Sequence, residues 1–146
     1  MWYDNLNNKR LWKIFSDISA IPRESGNEEG IRKYLLSWAE EHGIDAFSDS
    51  IGNVIMKVKA TPGYEDYPSI ALQGHMDMVC EKEKGVNIDF EKDGLKLYVD
   101  GDFLKAEGTT LGGDDGIAVA YALALLESSE IAHPKLEVVI TVDEEI

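Results

Sequence analysis

Ile70-Ala71-Leu72-Gln73-Gly74-His75-Met76-Asp77 begins as an apolar run and ends on an imidazole and a carboxylate. An extended chain repeats its side-chain direction every two residues, so His75 and Asp77 share a face and the carboxylate can orient the ring. Two further stretches end in the same way. Leu111-Gly112-Gly113 leads into Asp114-Asp115-Gly116, and Leu136 to Val142, an apolar strand, leads into Asp143-Glu144-Glu145. Carboxylates and imidazoles are the ligands of hard and borderline cations, and in open α/β sheets such groups gather at the carboxyl ends of strands. The three stretches together therefore point to a metal site.

Each stretch also has a plainer reading. His75-x-Asp77 is a common chance pattern, and Asp114 and Asp115 suit the positive end of a helix starting near Gly116. Glu144 and Glu145 suit the solvated end of a buried strand. Extended geometry would turn their side chains to opposite sides, one toward a metal and its neighbour toward a water. The paired glycines at 112 and 113 favour the metal reading, because they let the chain turn sharply and leave room beside the carboxylate.

Working outward, Leu11, Ile14, Phe15 and Ile18 recur at helical spacing in a segment that ends near Pro22. Ser25-Gly26-Asn27-Glu28 has the form of a capping box, opening a second helix with Ile31, Tyr34, Leu35 and Trp38 on one face and Gly43 as its stop. Asn53 to Lys59 reads as a strand, and Gly94 to Lys105 as a hairpin turning at Asp100-Gly101. Gly116 to Leu126 reads as a buried helix whose alanines suit close packing on a sheet. His42 belongs to a helix end and His133 to a loop.

Composition narrows the function. Over 146 residues, 14 basic against 28 acidic side chains give a net charge of −14, which repels phosphate backbones and argues against nucleic acid. No apolar run approaches the roughly 20 residues needed to span a bilayer, and Met1 to Asn8 lacks the features of a signal peptide, so a cytoplasmic protein is expected. The lone Cys80 makes no internal disulfide, in keeping with a reducing compartment. A calcium loop at Asp100-Gly101-Asp102 is disfavoured, since it lacks the glycine at position six and has Leu111 at the bidentate position.

Gly74-His75-Met76-Asp77, Gly108-Thr109-Thr110-Leu111-Gly112-Gly113-Asp114-Asp115-Gly116 and Thr141-Val142-Asp143-Glu144-Glu145 resemble the successive motifs of the two-zinc exopeptidases that include aminoacylase and carnosinase, and within them the aminoacyl-histidine dipeptidase branch. The resemblance implies a three-layer α/β catalytic domain with a mixed sheet and helices on both faces. It implies two Zn2+ per complete site, with Co2+ or Mn2+ as substitutes, and hydrolysis of Xaa-His and other dipeptides. By position, His75 would ligate one zinc, Asp77 would orient His75, Asp114 would bridge both ions, Glu144 would be the general base and Glu145 a ligand. Asp115 and Asp143, which stand where members carry asparagine or threonine, are assigned no role. Residues 1–146 would be the N-terminal part of the catalytic domain, incomplete at the C-terminus. An aspartate and a histidine ligand and a lid domain that makes the homodimer would lie beyond Ile146, leaving the isolated fragment weak or inactive. The alternatives are a related zinc deacylase or aminoacylase, and a non-catalytic interaction domain.

Overall fold

A computed structural model describes residues 1–146. Helix α1 (Lys9–Ser19) and helix α2 (Glu29–Glu41) come first, followed by strands β1 (Asp45–Ser48), β2 (Val54–Val58) and β3 (Ile70–His75). A hairpin of β4 (Leu97–Asp100) and β5 (Phe103–Ala106), helix α3 (Gly113–Glu127) and strand β6 (Leu136–Thr141) complete the order. The main sheet runs β1-β2-β6-β3. Its first two pairings are antiparallel and β3 with β6 is parallel, so the sheet is mixed, as expected.

Alternation along β2 and β6 decides where the core sits. Val54 and Met56 are buried with Leu136, Val138 and Ile140, while Ile55, Lys57, Glu137 and Val139 turn the other way. Against the buried face α1 presents Leu11, Ile14, Phe15 and Ile18, α2 presents Ile31, Leu35, Trp38 and Ala39, and α3 presents Val119, Ala120, Ala122 and Leu123. Each large side chain buried in this way contributes about 1.5–3 kcal/mol. Within residues 1–146 all three helices lie on one face of the sheet. Within residues 1–146 the opposite face carries Phe47 at 48% exposure, together with an ion pair between Lys57 and Glu137, and no helix covers it.

Several local expectations shift. The hairpin forms with Asp100 opposite Phe103, so Gly101-Asp102 make the turn, one residue later than the Asp-Gly signal suggests, with Gly101 at φ 59°. Asp100 pairs with Lys105 at 2.6 Å. Residues 113–115 are counted in α3, but Asp114 and Asp115 have non-helical backbone angles and regular helix starts at Gly116. His42 ends α2 as anticipated, with Nδ1 2.7 Å from the Trp38 carbonyl and its ring stacked on the indole.

The parallel β3–β6 pair positions the chemistry. His75 is level with Thr141, so both strands deliver their following residues to the same end of the sheet. Helix α3 packs on β3. Its irregular first turn brings Asp114 to that end as well, within 2.9 Å of the His75 ring.

Candidate metal centre

His75, the last residue of β3, is buried, and its ring meets carboxylates on both edges. Nδ1 lies 3.2 Å from Asp77 Oδ1, and Nε2 lies 2.9 Å from Asp114 Oδ1. Donor atoms of His75, Asp114 and Glu145 all lie within 4.8 Å of one another. Glu144 Oε2 is 3.8 Å from His75 Nε2. The five residues singled out in the sequence are therefore brought to one place, although they come from three separate segments.

Asp77 is fully buried, and each of its oxygens is shared by two donors. Oδ1 faces His75 Nδ1 and accepts from the Glu144 amide at 3.2 Å; Oδ2 accepts from Ser25 Oγ at 2.7 Å and the Glu145 amide at 3.1 Å. Burial alone would raise its pKa, but the hydrogen bonds from Ser25 and the two amides outweigh burial and hold it below the ordinary carboxylate value. An ionised Asp77 only accepts, so the ring proton of a neutral His75 sits on Nδ1, leaving the Nε2 lone pair turned toward Asp114.

That lone pair and the Asp114 oxygen are two electron-rich atoms at 2.9 Å. They require a positive centre between them or beside them. Without a cation, a second ring proton serves: burial opposes the imidazolium, but the Asp114 hydrogen bond and the charges of Asp77 and Asp115 prevail, and the His75 pKa rises above its ordinary value. A divalent cation meets the same need with more charge. One imidazole nitrogen and two carboxylates suit zinc, cobalt or manganese, and the carboxylate behind the imidazole is the usual partner of a metal-ligating histidine.

The acidic pairs differ from their expected forms. Asp114 and Asp115 do not cap α3, whose N-terminal residues receive no side-chain hydrogen bond. Asp114 faces the ring instead, and Asp115 Oδ2 accepts from the His75 amide at 3.2 Å. Gly74 makes that approach possible, since a Cβ there would lie 2.8 Å from the Asp115 carboxylate. Glu144 and Glu145 follow Asp143, which has φ 55°, in a turn and not in extended chain. The turn aims both their amides at Asp77.

Sequence reasoning missed Arg23, Ser25, Glu28 and Asp115. Ser25 and Glu28 were visible as a capping box, yet α2 starts with no side-chain cap. Ser25 bonds Asp77, and Glu28 Oε1 accepts from the Asp143 amide at 3.0 Å.

No family model matches the chain. It is 42% identical over 140 residues to the cytosol non-specific dipeptidase of Escherichia coli (strain K12), covering 96% of this chain and 29% of that protein. Its fold superimposes on the aminoacylhistidine dipeptidase of Vibrio alginolyticus with a TM-score of 0.94 at 44% identity, covering 97% of this chain and 29% of that one. A tripeptidase from Staphylococcus aureus matches with a TM-score of 0.77 at 28% identity, over 95% of this chain and 37% of its own. Fold and sequence together place the chain with part of an α/β peptidase domain. More narrowly, the chain is similar to the aminoacyl-histidine, or cytosol non-specific, dipeptidases. It spans less than a third of the length of either dipeptidase.

Proposed function

We propose that this chain is the N-terminal part of the catalytic domain of a cytoplasmic, zinc-dependent dipeptidase that hydrolyses Xaa-His and other dipeptides. The observation that carries the reading is the convergence of His75, Asp114 and Glu145 within 4.8 Å, with buried Asp77 behind the imidazole. In this reading His75, Glu145 and Asp114 would hold the metal, with Asp114 shared between two ions. An aspartate and a histidine complete the pair from sequence beyond Ile146, where the lid and dimer contacts also lie. The 29% coverage of the dipeptidase relatives supports that division.

A cation held there supplies Lewis acidity, lowering the pKa of a bound water and polarising a peptide carbonyl. Asp77 keeps the Nδ1 proton in place and presents the Nε2 lone pair. Glu144, with 57% of its side chain exposed, is close enough to the donors to take a proton from water on Oε2 and return it to the departing amine. One carboxylate thereby serves both proton transfers.

The test uses the full-length protein and a panel of Xaa-His, other dipeptide and N-acyl amino acid substrates. Chelation is expected to abolish dipeptide hydrolysis and added Zn2+ to restore it. Glu144→Gln is expected to lower kcat by at least 100-fold with metal content unchanged, in line with general-base contributions of about 10²–10⁴. Cleavage of N-acyl amino acids alone would move the assignment to a deacylase. Dipeptide hydrolysis that survives both chelation and Glu144→Gln would refute it.

A further inference from the structure

Arg23 is 2% exposed, and its guanidinium donates to three main-chain carbonyls: Met76 at 3.2 Å and Asp77 at 3.4 Å from Nη1, and Gly112 at 2.7 Å from Nη2. None belongs to its own neighbourhood. Met76 and Asp77 follow the ligand His75, and Gly112 precedes the ligand Asp114 by two residues. The flanking glycines leave room for it, since a Cβ would fall 2.5 Å from Nη2 at Gly112 and 2.7 Å at Gly116. Its Nε has no partner. A buried guanidinium with an unsatisfied donor is a costly way to fill a core, which an apolar side chain would fill more cheaply. A fork of fixed donors reaching two chain segments is something only arginine provides.

The residues that follow continue the same pattern. The Arg23 carbonyl accepts from the Met78 amide at 3.0 Å, and Ser25 Oγ donates to Asp77. Gly26 N donates to Asp143 Oδ1 at 3.1 Å, and the Asp143 amide donates to Glu28 Oε1 at 3.0 Å. Four residues of the segment 23–28, Arg23, Ser25, Gly26 and Glu28, thus touch every turn that carries a candidate ligand: 76–78 after His75, 112 before Asp114, and 143 before Glu145.

We infer that Arg23 and Glu28 are positioning residues for the metal centre, and that Arg23–Glu28 is a brace fixing the spacing of its three ligand-bearing turns. The inference rests on the metal reading above. Arg23 ties the first turn to the second, and Glu28 ties the third to the same segment. Neither side chain contacts a ligand side chain. Their effect passes through main-chain position, which sets where the imidazole and two carboxylates meet.

The experiment titrates Co2+ into the full-length apoprotein and its Arg23→Lys, Glu28→Ala and Glu28→Gln variants, following visible absorption, affinity by calorimetry and Tm. Lysine keeps the charge but cannot span both segments, and alanine removes the acceptor for Asp143, whereas glutamine retains it. Arg23→Lys and Glu28→Ala are expected to weaken Co2+ binding by about 10- to 100-fold and to alter the Co2+ band shape at equal loading. Glu28→Gln is expected to restore both. Lower Tm with wild-type Co2+ affinity and spectrum in Glu28→Ala and in Arg23→Lys would show a purely structural role and overturn the brace. If Arg23→Lys does not fold, the contrast of Glu28→Ala with Glu28→Gln decides alone. Failure of the wild-type protein to bind Co2+ overturns the metal reading and the brace with it. Wild-type binding with unaltered variants overturns the brace alone.

Discussion

Replacing Asp77 by asparagine keeps shape and burial while removing one acceptor oxygen and the charge. With its remaining oxygen turned to His75 and the Glu144 amide, the new amino group faces Ser25 Oγ and the Glu145 amide. Ser25 can rotate its hydroxyl and accept; the Glu145 N–H cannot and loses its partner. An orphaned buried donor costs about 1–3 kcal/mol, and the bonds that remain drop from charge-assisted to neutral strength, about 0.5–1 kcal/mol each. Because the 144–145 turn borders solvent, the lower half of that range applies, giving a total of about 3 kcal/mol. For a chain of 146 residues this lowers Tm by roughly 6–12 °C. Calorimetry in the presence of a chelator isolates the effect from metal binding, and Ser25→Ala, which removes a single bond to Asp77, should fall by about a third as much. An Asp77→Asn protein melting within about 2 °C of wild type would refute the claim that this carboxylate is the hub joining β3 to the turn after β6.

Saturating the site is expected to stabilise the full-length protein: Zn2+ at 100 times its dissociation constant adds about 2.7 kcal/mol, and His75→Ala should abolish the rise in Tm measured by fluorimetry. Leu123, fully buried between α3 and the sheet, should cost about 2–5 kcal/mol as Leu123→Ala in urea denaturation; a loss below 1 kcal/mol would mean the site collapses freely. Burial pushes the Cys80 thiol up to about 11, so alkylation by iodoacetamide at pH 8 should run roughly 100-fold slower than in the denatured chain. Equal rates would place Cys80 in open solvent.

What sequence made legible was chemistry at the ends of strong patterns. The apolar runs into His75 and Glu144 and the glycine pair before Asp114 placed all five candidates, because strand ends converge when strands are parallel neighbours. Less visible was how the candidates are held. Ser25 and Glu28 satisfy a local capping pattern in the sequence, but their side chains reach Asp77 and the Asp143 amide, and no local rule weighs partners 52 and 115 residues away. Strand β1, Asp45-Ala46-Phe47-Ser48, escaped notice because an exposed edge strand needs few apolar residues. The turn at Asp143 was masked by the apolar strand before it. Arg23, one charged residue beside Pro22, carries no periodicity that would mark it as buried.

The order β1-β2-β6-β3 has a consequence for how the molecule is made. Strands β2 and β3 are consecutive in the sheet's chain order yet never touch, because the last strand slots between them. A nascent chain that has not reached Leu136 holds two apolar strands with no partner for each other. Residues 136–141 join β2 to β3 and deliver the Glu144 and Glu145 amides to Asp77 in the same step. During vectorial synthesis, at about 5–20 residues per second, the closing of this gap in the sheet and the approach of the Glu144 and Glu145 amides to Asp77 therefore wait on the same segment.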